Sequence, residues 1–422
     1  MRLSSTRQSV LIRLTLTCAI PGILIMHADP ADAQLTLKLR AEKHACRNVP
    51  VLIPLSPEAL KRLGRNVPGA VRLESGEDTT IGQIWQEGDT TALVFLPREL
   101  PRGATRTYRV RPERRTQTAV TVQRQDSDMV VMLGSRLFTR YHTQTSPFKP
   151  FLYPLLTPGG EHFTRRFPQE KVAGESTDHV HHRGLWFTHG EVNGVDFWSE
   201  GQQAGRTVHT GYAATFQGPV MGGFVALTEW RAPDNTLVAT DRRTVRVIPL
   251  PNGDRILDFE ITMRPAGKEL HFGDTKEGTF GIRVAESLAP KPDRTAGIQS
   301  PTGRMINSEG AKDGAVWGKK AAWVDYSGPI GGEIYGIAIF DHPTNFRFPT
   351  TWHAREYGLF AANPFGLHDF NQGAKGAGDY RVASDATFTL RYRVLLHRGT
   401  PETADVATRF AVYAEPPVVE IQ

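Results

Sequence analysis

Apolar and polar residues alternate with a period of two through much of this chain. From Ala386 to Leu396, Phe388, Leu390, Tyr392 and Val394 fall on one face, with Thr387, Thr389, Arg391 and Arg393 on the other. That is the pattern of a half-buried strand. Arg255 to Met263 repeats it, setting Leu257, Phe259, Ile261 and Met263 opposite Asp258, Glu260 and Thr262. Glycine (40 residues) and proline (29) punctuate such runs at short intervals, which favours antiparallel sheets over alternating strand and helix units. One helix is predicted near the C-terminus. Thr400 caps it, Pro401 suits its first turn, Glu402 suits its dipole, and Val406, Phe410 and Tyr413 form one stripe before Pro416-Pro417.

The first 33 residues read differently. Arg2, Arg7 and Arg13 lead a mostly apolar stretch from Leu14 to Met26, and Ala31-Asp-Ala33 has the small-x-small pattern that signal peptidase reads. A signal peptide over 1–33 is expected, and with it a periplasmic or extracellular protein. The apolar run is shorter than the ~20 residues of a spanning helix, and none like it follows, so no membrane span is expected. Beyond the leader the one cysteine is Cys46, which forbids an internal disulfide and leaves stability to core burial.

A boundary is read at Asp126-Ser-Asp128. Residues 34–126 hold short strands, few clustered titratable groups and the length of a small immunoglobulin-like sandwich. Residues 127–422 hold nearly all the His and Trp, and read as a large antiparallel β-sandwich carrying the site. The net charge of +6 is mild, and the basic runs Arg111-Pro-Glu-Arg-Arg115 and Asp241-Arg-Arg243 contain acids. They describe solvated surface, so no nucleic-acid partner is expected. The weak positive field suits an anionic ligand such as an acidic glycan.

Candidate chemistry gathers in three blocks. Asp178-His-Val-His-His-Arg183 puts three imidazoles between an acid and an arginine, with Trp186 and His189 just beyond. Imidazole takes or gives a proton near neutral pH, and the His179-x-His181 pair is also a metal-binding spacing. The second block, His271-Phe-Gly-Asp-Thr-Lys-Glu-Gly278, offers Asp274, Lys276 and Glu277 on a glycine-bounded loop. Glycoside cleavage requires two such carboxyl groups, one as acid and one as base or nucleophile. The third runs from Trp352-His353-Ala-Arg355-Glu-Tyr357 to Asn363. There Trp352 and Tyr357 suit sugar rings, and His353, Arg355 and Asn363 suit hydroxyls or carboxylates.

These blocks, with Asn193-Gly-Val-Asp196-Phe-Trp198, Gly281-Ile-Arg283 and Asn363-Pro-Phe-Gly366, closely resemble a secreted bacterial family of unknown function. Its members carry the label PmoA family or methane oxygenase. The methane-oxidising subunit of that name spans the membrane many times, which no segment here can do after the leader, so the label is not carried over as a function. The resemblance covers about residues 130–400. It implies a predominantly β protein of polysaccharide-degrading bacteria, similar to the galactose mutarotase-like supersandwich, a fold that hosts enzymes and binders alike.

The expectation is therefore an exported carbohydrate-active enzyme, a glycoside hydrolase or lyase acting on environmental glycans. His179, His181, His182, Asp274, Glu277 and His353 form the catalytic set. Arg183, Trp186, Lys276, Trp352, Arg355, Tyr357 and Asn363 form the substrate-binding set. No cofactor is expected. The alternatives are a noncatalytic glycan-binding protein and a metal-dependent hydrolase or oxygenase using His179 and His181. The three blocks are expected to converge on one cleft, because each carries polar groups costly to bury without partners.

Overall fold

A computed structural model of the chain describes residues 35–64, 69–76, 78–88, 90–291 and 303–422. The leader expected over 1–33 lies outside the described residues.

The first strands are β1 (Thr36–Arg40), β2 (Val51–Pro54), β3 (Ala70–Ser75), β4 (Asp78–Glu87), β5 (Thr90–Phe95) and β6 (Thr105–Glu113), with the short helix α1 (Pro57–Arg62) after β2. Next come β7 (Val120–Gln125), β8 (Asp128–Leu133), β9 (Arg136–His142), β10 (Phe151–Leu152) and β11 (Leu185–His189). The long meander β12 (Arg206–Phe216), β13 (Gly222–Arg231), β14 (Leu237–Pro249) and β15 (Arg255–Pro265) follows. After it stand β16 (Leu270–Phe272), β17 (Gly278–Arg283), β18 (Arg304–Asn307), β19 (Trp323–Ile330) and β20 (Glu333–Asp341). The chain ends with β21 (Thr351–Ala354), β22 (Leu359–Asn363), β23 (Tyr380–Val382), β24 (Phe388–Arg398), α2 (Val406–Ala414) and β25 (Val418–Ile421).

The protein is mostly β, as its alternation predicts. The small N-terminal part, expected as a sandwich, is one seven-stranded sheet in the order β2-β5-β4-β3-β6-β1-β25, whose last member returns from the far end of the chain. Two eight-stranded antiparallel sheets make up the larger part. Their orders are β21-β22-β17-β11-β10-β9-β8-β7 and β12-β13-β14-β15-β24-β20-β19-β18.

The two runs read first in the sequence are β15 and β24, and they pair directly. Leu257 stands opposite Val394, Phe259 opposite Tyr392, Ile261 opposite Leu390 and Met263 opposite Phe388. All eight side chains enter the core between the two eight-stranded sheets, each contributing roughly 1.5–3 kcal/mol by burial. On the other face Arg393 grips Asp258 through two hydrogen bonds of 2.6 and 2.7 Å, and Arg391 meets Glu260 at 2.9 Å. Register thus serves both faces at once.

A second core fills the N-terminal sheet. A third joins Trp85, Ala92 and Val94 of that sheet to Ile256, Phe340 and Leu395 and to Val406 of α2. Gln83 adds a polar link, its buried Oε1 accepting from the backbone N–H groups of Val220 and Met221 at 3.1 and 2.9 Å. Helix α2 carries the predicted stripe but begins at Val406, because residues from Thr400 onward first make a turn in which the Thr400 hydroxyl accepts from the Thr403 N–H at 3.3 Å.

Candidate functional site

Register in the β7-to-β21 sheet brings six distant residues into one row. His353 pairs with Ala361, Ala361 with Gly281, Gly281 with Trp186, Trp186 with Phe151 and Phe151 with His142. Directly paired residues share a face. The opposite face, with Leu185, Phe187, Phe280, Ile282, Trp352 and Phe360, is buried in the main core. On the row's own face the small residue Gly281 makes room for indole: a Cβ there would lie 2.9 Å from Trp186 Cζ2. Trp186 is 1% exposed and packs with Phe151, Tyr153, Trp198, Leu359 and Ala361. It is a floor for the site rather than an open platform.

The histidine run turns immediately before β11, with the His182 N–H donating to the His179 carbonyl at 3.0 Å. Its rings form a column. His179 stacks on Tyr357 at 5.4 Å and 10°, His179 on His182 at 4.8 Å and 7°, and His182 on Trp186 at 5.4 Å and 18°. His179, with φ of 44°, sits in the left-handed region that non-glycine residues adopt only where the surroundings impose it. Its Nδ1 donates to Asp178 Oδ2 at 2.5 Å while the side chain stays 41% exposed. Asp178 is anchored in turn: Oδ1 accepts from Arg165 at 2.5 Å and from Arg283 at 3.1 Å. Both arginines are buried and share the Ser176 hydroxyl, which donates to Glu286. Burial alone would raise the Asp178 pKa, but the His179 hydrogen bond and the two guanidinium charges hold it well below the usual carboxylate range.

The other two histidines differ. Burial, with the neighbouring His181 and Arg283 charges, pushes the His182 pKa far down, so its neutral Nδ1 accepts from Arg283 at 3.4 Å. His182 is scaffolding. His181 is half-buried, and burial with the charge of Lys149 lowers its pKa to about 4. Among the described residues neither of its ring nitrogens has a hydrogen-bond partner, while the charges of Glu200 and Glu277 both reach it. Arg183, expected to hold substrate, instead grips Glu200 through two hydrogen bonds of 2.7 Å. Buried Lys149 lies 3.8 Å from the same Glu200 and donates to the Trp198 carbonyl at 2.6 Å. Desolvation lowers its pKa to about 8.

The loop before β17 divides its roles. Both Asp274 oxygens accept backbone N–H groups, from His368 at 3.0 Å and Gly378 at 2.9 Å, so this residue ties down the loop after β22. The Lys276 carbonyl accepts from His353 Nδ1 at 2.8 Å and from Asn363 at 3.0 Å. His353 is 2% exposed, and burial with the charge of Arg355 lowers its pKa to about 3. Asn363 is also buried and meets four backbone groups. Trp352 lies in the core, its Nε1 donating to Ala321 at 2.9 Å. His353 and Asn363 therefore hold the loop from the interior, and Trp352 is buried in the core. Glu277 and Lys276 remain outside that framework, paired at 3.0 Å and 33% and 39% exposed. The charge of Glu277 reaches both His181 and Tyr357. The three blocks thus meet, with His179, His181, Lys276, Glu277, Arg355 and Tyr357 as the accessible set.

The sequence pattern of the family of unknown function DUF6807 matches residues 128–411. The chain belongs to that family. The DUF6807 region contains all three blocks and the two eight-stranded sheets except β7, and leaves out the N-terminal sheet. No curated protein matches the chain. Within the DUF6807 region, sequence reasoning passed over Arg165, Ser176, Glu200 and Glu286. Each is an isolated polar residue whose partner comes from another segment, so no local pattern marks it. Among the described residues no three His, Cys, Asp or Glu side chains are grouped as metal ligands.

Proposed function

We propose that this protein is an exported carbohydrate-active enzyme that works by proton transfer at the Asp178–His179 pair. The observation that carries the reading is the anchored pair itself. A carboxylate kept ionised by two buried arginines stabilises the His179 tautomer with hydrogen on Nδ1, and this leaves Nε2 as a base at an exposed surface. Glu277, beside His181 and Tyr357, is the second proton-transfer group.

Between hydrolase and lyase, the balance of carboxylates favours the lyase. Glycoside hydrolysis commonly uses two carboxyl groups across the scissile bond, but Asp274 has both oxygens engaged by backbone N–H groups. One accessible carboxylate, Glu277, with an imidazole oriented by Asp178 suits removal of a proton next to a carbonyl or carboxylate, followed by loss of the glycosidic oxygen. The test is incubation of the protein with a panel of plant and algal glycans, with products read by mass spectrometry. Products lighter than hydrolysis products by one water support elimination. Full-mass products mean hydrolysis. Binding without turnover makes the protein a glycan binder.

A further inference from the structure

A cavity of about 270 Å³ adjoins Tyr357, the residue on which the His179 ring stacks, and is lined by Lys291, Gly314, Trp317, Ala354, Arg355, Glu356 and Tyr357. Its volume is at the small end of ligand pockets and fits about one sugar ring. The guanidinium of Arg355 lies over the Trp317 ring at 5.4 Å, and its charge reaches Tyr357, His353 and Lys276. Arg355 therefore stands where the second and third blocks meet.

The charge pairing around it is uneven. Arg165 and Arg283 have Asp178, Arg183 and Lys149 have Glu200, Lys276 has Glu277 and Lys291 has Glu356. Among the described residues no carboxylate pairs with Arg355. A half-buried guanidinium set over an indole offers a planar donor edge, and a planar donor edge matches a carboxylate. A neutral sugar would leave that charge uncompensated in the cavity. We propose that the Arg355 cavity is the subsite for an anionic sugar residue, a uronate whose carboxylate is held by Arg355 in the space between Trp317 and the edge of Tyr357. This rests on the glycan-acting reading above and narrows it to acidic glycans. The uronate carboxylate also supplies the group that acidifies the neighbouring C–H, the hydrogen that His179 would remove.

The experiment compares uronate oligosaccharides (galacturonate, glucuronate and mannuronate types) with their methyl esters, in which the carboxylate is neutral, by titration calorimetry on the full chain. The wild-type protein is expected to bind at least one free acid about tenfold or more tightly than its ester, as for a charged hydrogen-bonded pair. Arg355→Gln should bring acid and ester to within about twofold, and Arg355→Lys should restore part of the preference. Equal binding of acid and ester by the wild-type protein, or an undiminished preference in Arg355→Gln, overturns the subsite. So does failure of every free acid to bind. If neutral glycans from the panel are still bound or turned over, the Asp178–His179 reading stands without it.

Discussion

The imidazole of His179 donates to Asp178 at 2.5 Å, and the other oxygen of that carboxylate is held by two buried arginines that come from before and after it in the chain. The pair is rigid on its inner side and open on its outer side. His179→Gln should therefore lower turnover by roughly 10² to 10⁴ with a smaller change in melting temperature, since the side chain is 41% exposed and its removal leaves no buried charge unpaired. Asp178→Asn should lower both, because it leaves Arg165 and Arg283 poorly compensated, at a cost of about 1–3 kcal/mol. Kinetics and denaturant titration on the two variants separate these effects. Equal melting temperatures for both variants would contradict the anchoring role.

Glu277 and Asp274 lie three residues apart and should respond in opposite ways. Glu277→Gln keeps the size of a half-exposed side chain and removes its proton, so a rate loss of roughly 10² to 10⁴ is expected with binding retained. Asp274→Ala removes the acceptor of two backbone N–H groups, so the expected loss is about 1–3 kcal/mol of stability. Turnover unchanged in Glu277→Gln would remove the loop from the chemistry.

Glu200 is the hub of a buried charge cluster. Replacing it with Ala leaves Lys149 and Arg183, 0% and 14% exposed, without their carboxylate, and breaking a buried pair costs about 3–5 kcal/mol. A loss of unfolding free energy of that size is expected from denaturant titration, and a loss below about 1 kcal/mol would mean that water, not Glu200, compensates these cations.

Stability should fall on mild acidification. Burial lowers His181 and His189 to about 4 and His353 to about 3, from 6.5. As pH falls through 6.5 the unfolded imidazoles take protons that the folded ones refuse until about 4 or 3, so the unfolded state is favoured throughout that window. Asp341, raised to about 7 by burial, works the other way and offsets part of the loss. The melting temperature should decline as pH falls from about 6.5 toward 4. A constant value across that range would refute the neutral buried histidines.

Gly281→Ala tests the floor. The added methyl meets Trp186 and Trp198 at 2.9 to 3.2 Å, and overpacking of this kind costs about 1–3 kcal/mol. Altered tryptophan fluorescence with a lower melting temperature is the expected result.

The alternation of residues by itself determined that this chain is mostly β and which faces of β15 and β24 are apolar, because a period of two is a local property that one strand carries alone. It also marked the histidine run and the Asp274–Glu277 loop, since several titratable groups in a short segment are visible without a fold. The identity of each group's partner was not visible. Trp352 read as a sugar platform and Trp186 as a substrate-binding residue but both lie in the interior, Arg183 read as a ligand-holder but belongs to Glu200, and Asp274 read as an acid or base but accepts two backbone N–H groups. Strand register placed Gly281 against Trp186, folding brought Arg165 and Arg283 onto Asp178, and β25 closed onto β1 from the opposite end of the chain. Each of these depends on pairing between residues tens to hundreds of positions apart. Burial and hydrogen-bond partners, which decide the charge and role of a side chain, exist only once those segments meet.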